Sequence, residues 1–214
     1  MYQVASRIID QCWAKRDYDM LARATAALLV SWNARVHVGR TTPFDKLPGF
    51  IERHYLKLDR LRKLDLHEES TAFHDLGLYR ELLCLLKVKR KNKTSLYTPV
   101  GAAKALHILA PRYFPLWDRV IARKAGHTIS MRADSYQRYG EEARLMVKRL
   151  VRAALHASLA PSEDAAFVWL REQTCTHCLS KTWVKFADEY NYVRYVLEPG
   201  EGRRARHGSA GRQS

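Results

Sequence analysis

Apolar residues recur along this chain at the three- and four-residue intervals of an α-helix. Four segments carry such a stripe, with the members Leu21, Leu28, Leu29, Trp32 and Val36; Ile51, Tyr55, Leu58 and Leu61; Val147, Leu150, Val151, Ala154 and Leu155; and Trp183, Phe186, Tyr190, Val193 and Leu197. We expect each stripe to pack into a core. The strict alternation that is typical of strands is scarce, so the pattern predicts an all-α protein.

Breakers and composition divide the chain into a folded part and a tail. Pro161 ends one predicted helix, and Ser162 carries the type of side chain that caps the next one. Residues 1–197 are predicted to form one domain. Residues 198–214 contain four glycines, four arginines and no large apolar residue, so we predict a disordered basic tail.

The charge balance narrows the function classes. The 214 residues carry a net charge of +15, of which the four arginines and two glutamates of the tail contribute +2, leaving +13 in residues 1–197. A body this basic favours a polyanionic partner, with nucleic acid first and an inert basic surface as the alternative. No apolar run reaches membrane-spanning length, and no basic start precedes an apolar stretch, so we expect a cytoplasmic or nucleoid-associated protein without a membrane partner. Four cysteines are too few for a disulfide scaffold.

A basic connector follows the leucine-rich segment 78–86. Five of the seven residues 87–93 are lysine or arginine. The connector leads through Thr98, Val100 and Gly101 into a helix predicted over 102–110, and the N–H groups at a helix start bind phosphate. We therefore predict DNA-backbone contacts at the connector, the turn and the next helix, namely at Lys89, Arg90, Lys91, Lys93, Thr98, Val100, Gly101, Arg119 and Arg123; a solvated loop is the alternative for the charge run.

Asp118 follows a loop bounded by Pro111 and Pro115, at the predicted start of a helix that Gly126 closes. The ordinary role of an aspartate there is to cap the helix. A carboxylate at a helix N-terminus is also held ionised, which suits a group that stabilises a developing cation or takes a proton from water. Cleavage at the anomeric carbon of a sugar passes through such a cation. Capping and catalysis are compatible roles for Asp118.

The segment from Glu81 to Gly126 resembles the helix-hairpin-helix DNA glycosylases, the superfamily that includes endonuclease III and the 8-oxoguanine glycosylases. The resemblance lies in a helix, a turn that ends in Val100 and Gly101, a helix that carries Lys104, the proline-bounded loop and Asp118. It implies two all-α lobes with a cleft between them and a hairpin at about 81–110. It also implies double-stranded DNA with a damaged or modified base as the partner of a monomeric enzyme, and Asp118 as its catalytic carboxylate.

The chain departs from the family pattern at three places. Pro99 stands where the first hairpin glycine is usual, and Ala103 stands where family members that also cut the strand have a Schiff-base lysine. Lys104 lies one residue later, and it could be a catalytic lysine, a phosphate ligand or an ordinary exposed lysine. We expect a monofunctional enzyme. Cys175 and Cys178 lack the second pair that an iron–sulfur cluster needs, so we expect no metal and no cofactor.

A flipped base is normally stacked on aromatic rings and hydrogen-bonded at its edge. The candidates for such a pocket are Trp32, Asn33, Arg35, His107, Tyr113 and Trp117. Trp32 and His107 lie among apolar neighbours, and core packing is the alternative for both.

The sequence therefore predicts a DNA glycosylase that releases a damaged or modified base, in base-excision repair or in defence against phage with modified DNA. A non-catalytic helix-hairpin-helix DNA-binding protein is the alternative, and an RNA-binding protein is a third possibility. The excised base, the pathway and the role of Cys175 and Cys178 stay open.

Overall fold

The structure is a computed structural model that describes residues 1–32, 36, 42–68, 76–89, 95–127, 133–174 and 182–197. Helices dominate these residues, which confirms the all-α prediction. They are α1 Tyr2–Trp13, α2 Tyr18–Trp32, α3 Leu47–Lys63, α4 Leu76–Leu85, α5 Pro99–Leu109, α6 Arg119–Lys124, α7 Ala133–His156, α8 Glu163–Thr174 and α9 Trp183–Tyr192. A short 3-10 turn, Phe44–Lys46, precedes α3, and a π-helical turn, Val193–Leu197, follows α9.

Ser162, Thr182 and Gly126 lie at helix ends and have the hydrogen bonds or the backbone conformation typical of such positions. Ser162 Oγ accepts a hydrogen bond from the Ala165 N–H at 3.2 Å and so caps α8. Thr182 caps α9 in the same way through the Lys185 N–H, also at 3.2 Å. Gly126 follows the end of α6 and has a φ of +86°, in the left-handed region that glycine adopts without strain.

The connector between α4 and α5 differs from the compact turn that the sequence predicts. Strands β1 (Val88–Lys89) and β2 (Ser95–Leu96) pair antiparallel, with Val88 opposite Leu96. The loop of this ribbon, residues 90–94, lies outside the described residues. Helix α5 also begins at Pro99, three residues before the predicted start, because proline is well suited to a first helical position.

Two hydrophobic clusters form the interior of the described residues. The larger cluster contains the buried faces of α1 to α5, the 113–117 loop and the first half of α7. The smaller one joins Val147, Val151 and Ala154 of α7 to Ala166 of α8 and to Trp183, Phe186 and Ala187 of α9. Helix α7 therefore packs against both clusters. Helix α5 is buried on almost every side, and its alanines let the neighbouring helices approach closely.

Three of the four predicted stripes are core. The fourth is core only in part, because Trp183 and Phe186 are buried whereas Tyr190, Val193 and Leu197 are exposed. The buried face of α9 continues through Ala187 and Asn191 instead. The stripe was therefore wrong beyond residue 186: its period matches a helix, but the buried face lies on the side of Ala187 and Asn191 and not on the side of Tyr190.

None of the helices in the described part of the chain is long and apolar enough to cross a bilayer. The predicted disordered tail, 198–214, and the cysteine pair at 175 and 178 lie outside the described residues.

Two glycines at the same helical position give a test of the packing at the start of α5. A Cβ at Gly101 would lie 2.9 Å from Thr98 Oγ1, whereas a Cβ at Gly49 in α3 would lie 3.5 Å from the Arg53 guanidinium. We expect Gly49→Ala to stabilise the protein by up to about 1 kcal/mol through helix propensity. Gly101→Ala should destabilise it by about 1–3 kcal/mol, because the buried Thr98 side chain has no room to move.

Urea denaturation of both variants measures the difference. Equal stabilities, or a more stable Gly101→Ala variant, would show that the close approach of Thr98 to α5 does not exist.

Candidate functional site around Asp118

Asp118 caps α6, as the sequence predicts. Its Oδ1 accepts hydrogen bonds from the Val120 N–H at 2.7 Å and from the Ile121 N–H at 3.4 Å. The residue has the extended backbone of a helix cap, with φ −94° and ψ 142°. The described residues provide no hydrogen bond to Oδ2, and the side chain is only half-buried. One carboxylate oxygen is thus used by the fold and the other is available to a ligand.

The loop before Asp118 is held by buried hydrogen bonds to its carbonyl groups. Tyr136 donates from its hydroxyl to the Pro115 carbonyl at 2.9 Å, and Nδ1 of His107 lies 2.7 Å from the Phe114 carbonyl. Both side chains come from helices of the larger cluster, so they position Asp118 relative to that core.

Trp117, the residue before Asp118 in the sequence, packs in a stack of aromatic rings. Its ring stacks on Tyr136 at 5.1 Å between centroids and on Tyr139 at 6.0 Å, and Tyr136 stacks on Tyr79 at 4.4 Å. The Trp117 indole N–H and the Tyr79 hydroxyl are buried without a hydrogen-bond partner among the described residues. Such atoms cost free energy, which the extensive ring contacts must offset.

Lys104 of α5 and Asp188 of α9 lie within electrostatic range of Asp118. Burial lowers the pKa of the Lys104 ammonium, and the negative charges of Asp118 and Asp188 oppose that shift. Burial also raises the pKa of the Asp188 carboxyl, and the negative charge of Asp118 adds to this rise. The Lys185 ammonium opposes it. Lys185 Nζ lies 2.8 Å from Asp188 Oδ2. Glu189 Oε1 lies 4.0 Å from the same Lys185 Nζ. Asp118, Asp188, Glu189, Lys104 and Lys185 therefore form a cluster of three acids and two cations, hereafter the charge cluster.

Aromatic rings connect the two lysines of the charge cluster. Lys104 Nζ lies 4.9 Å from the centroid of the Trp32 ring, and Trp32 stacks on Tyr2 at 5.5 Å with parallel planes. Lys185 Nζ lies 5.9 Å from the centroid of the same Tyr2 ring. Both rings are only partly buried, so the Trp32–Tyr2 pair is an aromatic surface beside the charges.

The predicted base-pocket residues separate into two groups. His107 and Trp117 are 0% exposed and Tyr113 is 3% exposed. Fully packed rings leave no face for a base, so the expectation of a pocket at these three residues is corrected: they are core residues. Trp32 remains, beside Lys104, whereas Asn33 and Arg35 lie outside the described residues.

His107 is the satisfied core histidine that the sequence leaves as an alternative. Its Nε2 lies 2.9 Å from the Tyr2 hydroxyl, and its other ring nitrogen bonds the Phe114 carbonyl. Burial lowers the pKa of His107 to about 3, so the ring is neutral at physiological pH.

The predicted DNA-binding residues are spread over the surface and the core. Lys89, Arg119 and Arg123 are exposed, whereas Arg90, Lys91 and Lys93 lie outside the described residues. Val100 is half-buried and Gly101 is buried at the start of α5. Thr98 is buried, and its hydroxyl donates to the Leu86 carbonyl at 3.1 Å instead of capping α5.

Sequence reasoning missed Asp188, which interacts electrostatically with Asp118, and Lys185, which pairs with Asp188. The available signal was the side of α9 away from Trp183 and Phe186, where Lys185 and Asp188 are one turn apart. The sequence does not show that this side comes within electrostatic range of Lys104 and Asp118.

An open cavity of about 320 Å³ lies elsewhere, between α1, α3, α8 and the start of α9. Two ion pairs flank it, Arg62 with Asp10 at 2.5 Å and Arg112 with Asp65. None of the predicted site residues lines this cavity. Within the described ranges, no group of three or more His, Cys, Asp or Glu side chains could hold a metal ion.

Comparisons with known proteins give no relative: no family model, no curated protein and no solved structure matches the chain.

The cap predicts how substitutions at Asp118 affect stability. Asp118→Asn keeps an oxygen that can accept the two N–H groups, so we expect nearly unchanged stability, whereas Asp118→Ala should lose about 1 kcal/mol. Thermal and urea unfolding measure both. A loss in Asp118→Asn as large as that in Asp118→Ala would mean that charge, and not hydrogen bonding, dominates this cap.

The buried His107 predicts an acid-dependent loss of stability. Its folded pKa of about 3 lies below the unfolded value of 6.5, so the unfolded chain takes up the proton first as the pH falls. The contribution is complete above pH 6.5 and is lost toward pH 3, by at most about 1.4 kcal/mol per pH unit. We expect His107→Gln to have a flatter stability profile between pH 6.5 and 4.5.

The exposed His156 is the matched control, because His156→Gln should keep the wild-type slope. Identical slopes in all three proteins would contradict the burial of a neutral His107.

Proposed function

We propose that the protein is a monofunctional DNA glycosylase, which hydrolyses the bond between a flipped base and its deoxyribose and leaves an abasic site. The observation that carries the proposal is the placement of Asp118, a carboxylate with one oxygen held by the start of α6 and the other available. The proposal includes the cleft between two lobes and the helix-hairpin-helix arrangement at about 81–110.

The chemistry requires a fixed negative charge. As the base leaves with the bonding electron pair, positive charge develops on the sugar, and an ionised carboxylate that does not reorganise stabilises it. A water oxygen then bonds to the anomeric carbon, and one proton of that water passes through the Asp118 carboxylate to the departing nucleobase. The N–H groups of Val120 and Ile121 hold Asp118 in position for both tasks.

The surroundings of Asp118 are compatible with a flipped nucleotide. Lys104 lies within electrostatic range of Asp118 and so limits the repulsion between the carboxylate and DNA phosphates. The Trp32 ring is partly exposed beside Lys104, and a flipped base that stacks there would recover some of the few kcal/mol that flipping costs.

Two features support a DNA-backbone contact at the start of α5. The Thr98 hydroxyl is used by Leu86, so the first N–H groups of α5 receive no side-chain cap and can donate to a phosphate oxygen. The basic ribbon that contains Lys89 leads directly into this helix.

The second candidate is a non-catalytic DNA-binding protein. The observation that favours it is that Asp118 already has a structural role as a cap. This candidate predicts salt-dependent DNA binding without base release from any substrate.

A panel of duplexes that carry alkylated purines, oxidised bases or modified cytosines, treated with alkali after incubation, tests the proposal. We expect strand cleavage with the wild type and at least a 100-fold lower rate with Asp118→Asn, in line with the ~10²–10³ that one electrostatic contact contributes. Asp118→Asn keeps the cap, so the loss reports on charge and not on folding.

Asp134→Asn, an exposed change at the start of α7, is the matched control and should retain full activity. Borohydride should trap no adduct, since a monofunctional enzyme forms no Schiff base. Equal cleavage by wild type and Asp118→Asn would remove Asp118 from the mechanism, and release only from modified phage DNA would place the enzyme in defence.

A further inference from the structure

The outer face of α7 carries a row of arginines. At about 100° per residue, Arg138, Arg149 and Arg152 fall within an arc of about 60° on this 24-residue helix. All three are exposed, and Leu145, which is 47% exposed, lies in the same arc between them. Arg138 and Arg149 are about 16 Å apart along the helix axis at 1.5 Å per residue.

The acids of α7 have basic neighbours. Asp134 lies 3.8 Å from Arg80, Glu141 lies 2.9 Å from Arg144, and Glu142 lies 2.7 Å from His127. These distances join carboxylate oxygens to guanidinium or imidazole nitrogens. Two of the three carboxylates on this helix are therefore paired with arginines, and the third contacts a histidine.

The three arginines of the row form no ion pair within the part of the chain that the structure describes. Residues 143–156 contain four lysines or arginines and no aspartate or glutamate. Of these four, Arg149 and Arg152 present positive charge that no ion pair in the described residues compensates. The inner face of α7 is held by the smaller hydrophobic cluster through Val147 and Val151, so the row lies on a fixed element and not on a loop.

We propose that Arg138, Arg149 and Arg152 form a DNA-backbone contact surface on α7, separate from the basic ribbon before α5. The inference rests on the proposed function only for the identity of the polyanion. Guanidinium groups recognise phosphate oxygens in a planar, two-pronged geometry, and a straight row of them matches a regular array of phosphates better than it matches a compact anion. Contacts to phosphate oxygens position a protein on the duplex without selecting sequence.

Salt titration of duplex binding tests the surface. Each phosphate contact contributes about 0.9 to the slope of log affinity against log salt. We expect Arg149→Gln/Arg152→Gln to lower the slope for an undamaged duplex by up to about 1.8, and the addition of Arg138→Gln to lower it by up to about 0.9 more. Thermal unfolding confirms that the variants are folded.

A double variant on α3 is the matched control. Arg53→Gln/Lys63→Gln also removes two positive charges, but Arg53 is paired with Glu81 and Lys63 with Asp59, both at 2.6 Å. This control should keep the wild-type slope. Equal falls of the salt slope in both double variants would show a general effect of net charge and no specific contact at the row. An unchanged slope in both variants would overturn the proposed surface.

Two further outcomes separate this inference from the proposed function. Tighter wild-type binding to an RNA duplex of the same sequence would overturn DNA as the partner of α7. A slope that responds to the row, in a protein that releases no base from any substrate, would support the surface and refute the glycosylase.

Discussion

The hydrogen bonds from the start of α6 to the Asp118 carboxylate are the constraint on which the proposed site depends. Two N–H groups bind the same oxygen, at 2.7 and 3.4 Å, and so hold the side chain in one orientation. The loop before it is held in turn by Tyr136 and His107 through the carbonyls of Pro115 and Phe114. Position 118 is therefore determined from both sides: by the helix that it caps and by the core that ends at Trp117.

The charge cluster explains how such a carboxylate can lie in a partly buried place. Burial disfavours the charged forms of Lys104 and Asp188, and each opposite charge in the cluster offsets part of that cost. Lys104 of α5 and Asp188 of α9 also attract each other, which is a structural contribution that needs no substrate. Groups whose pKa values move in this way are concentrated at functional sites, although structural ion pairs shift them as well.

The sequence was sufficient for features that depend on neighbours along the chain. The Asp118 and Ser162 caps need only the residues two or three positions later, and the stripes at 51–61 and 147–155 need only helical period. The pairing of Val88 with Leu96 was not predicted, because a ribbon of two-residue strands has too few positions to show alternation. The burial of Trp117 and Tyr113 was not predictable either, since an aromatic residue in a loop is equally compatible with a core and with a pocket.

Asp188 shows the same limit at longer range. Seventy residues separate it from Asp118, and no local pattern indicates which helix will face α9. The stripe from Trp183 to Leu197 identified the apolar side of α9 only as far as Phe186, because the buried face continues through Ala187 and Asn191 and not through Tyr190. Periodicity reports that a helix has two faces, but the partner of each face is a property of the whole fold.

The distribution of charge divides two tasks that would otherwise conflict. The acids of the charge cluster would repel DNA phosphates, and Lys104 and Lys185 reduce that repulsion where the carboxylates lie. In the proposed enzyme, attraction of the polyanion is left to exposed cations outside the cluster, such as Arg119 and Arg123 of α6. A glycosylase needs this division, because the fixed anion that stabilises the positive sugar has the same sign as the DNA backbone that carries the sugar.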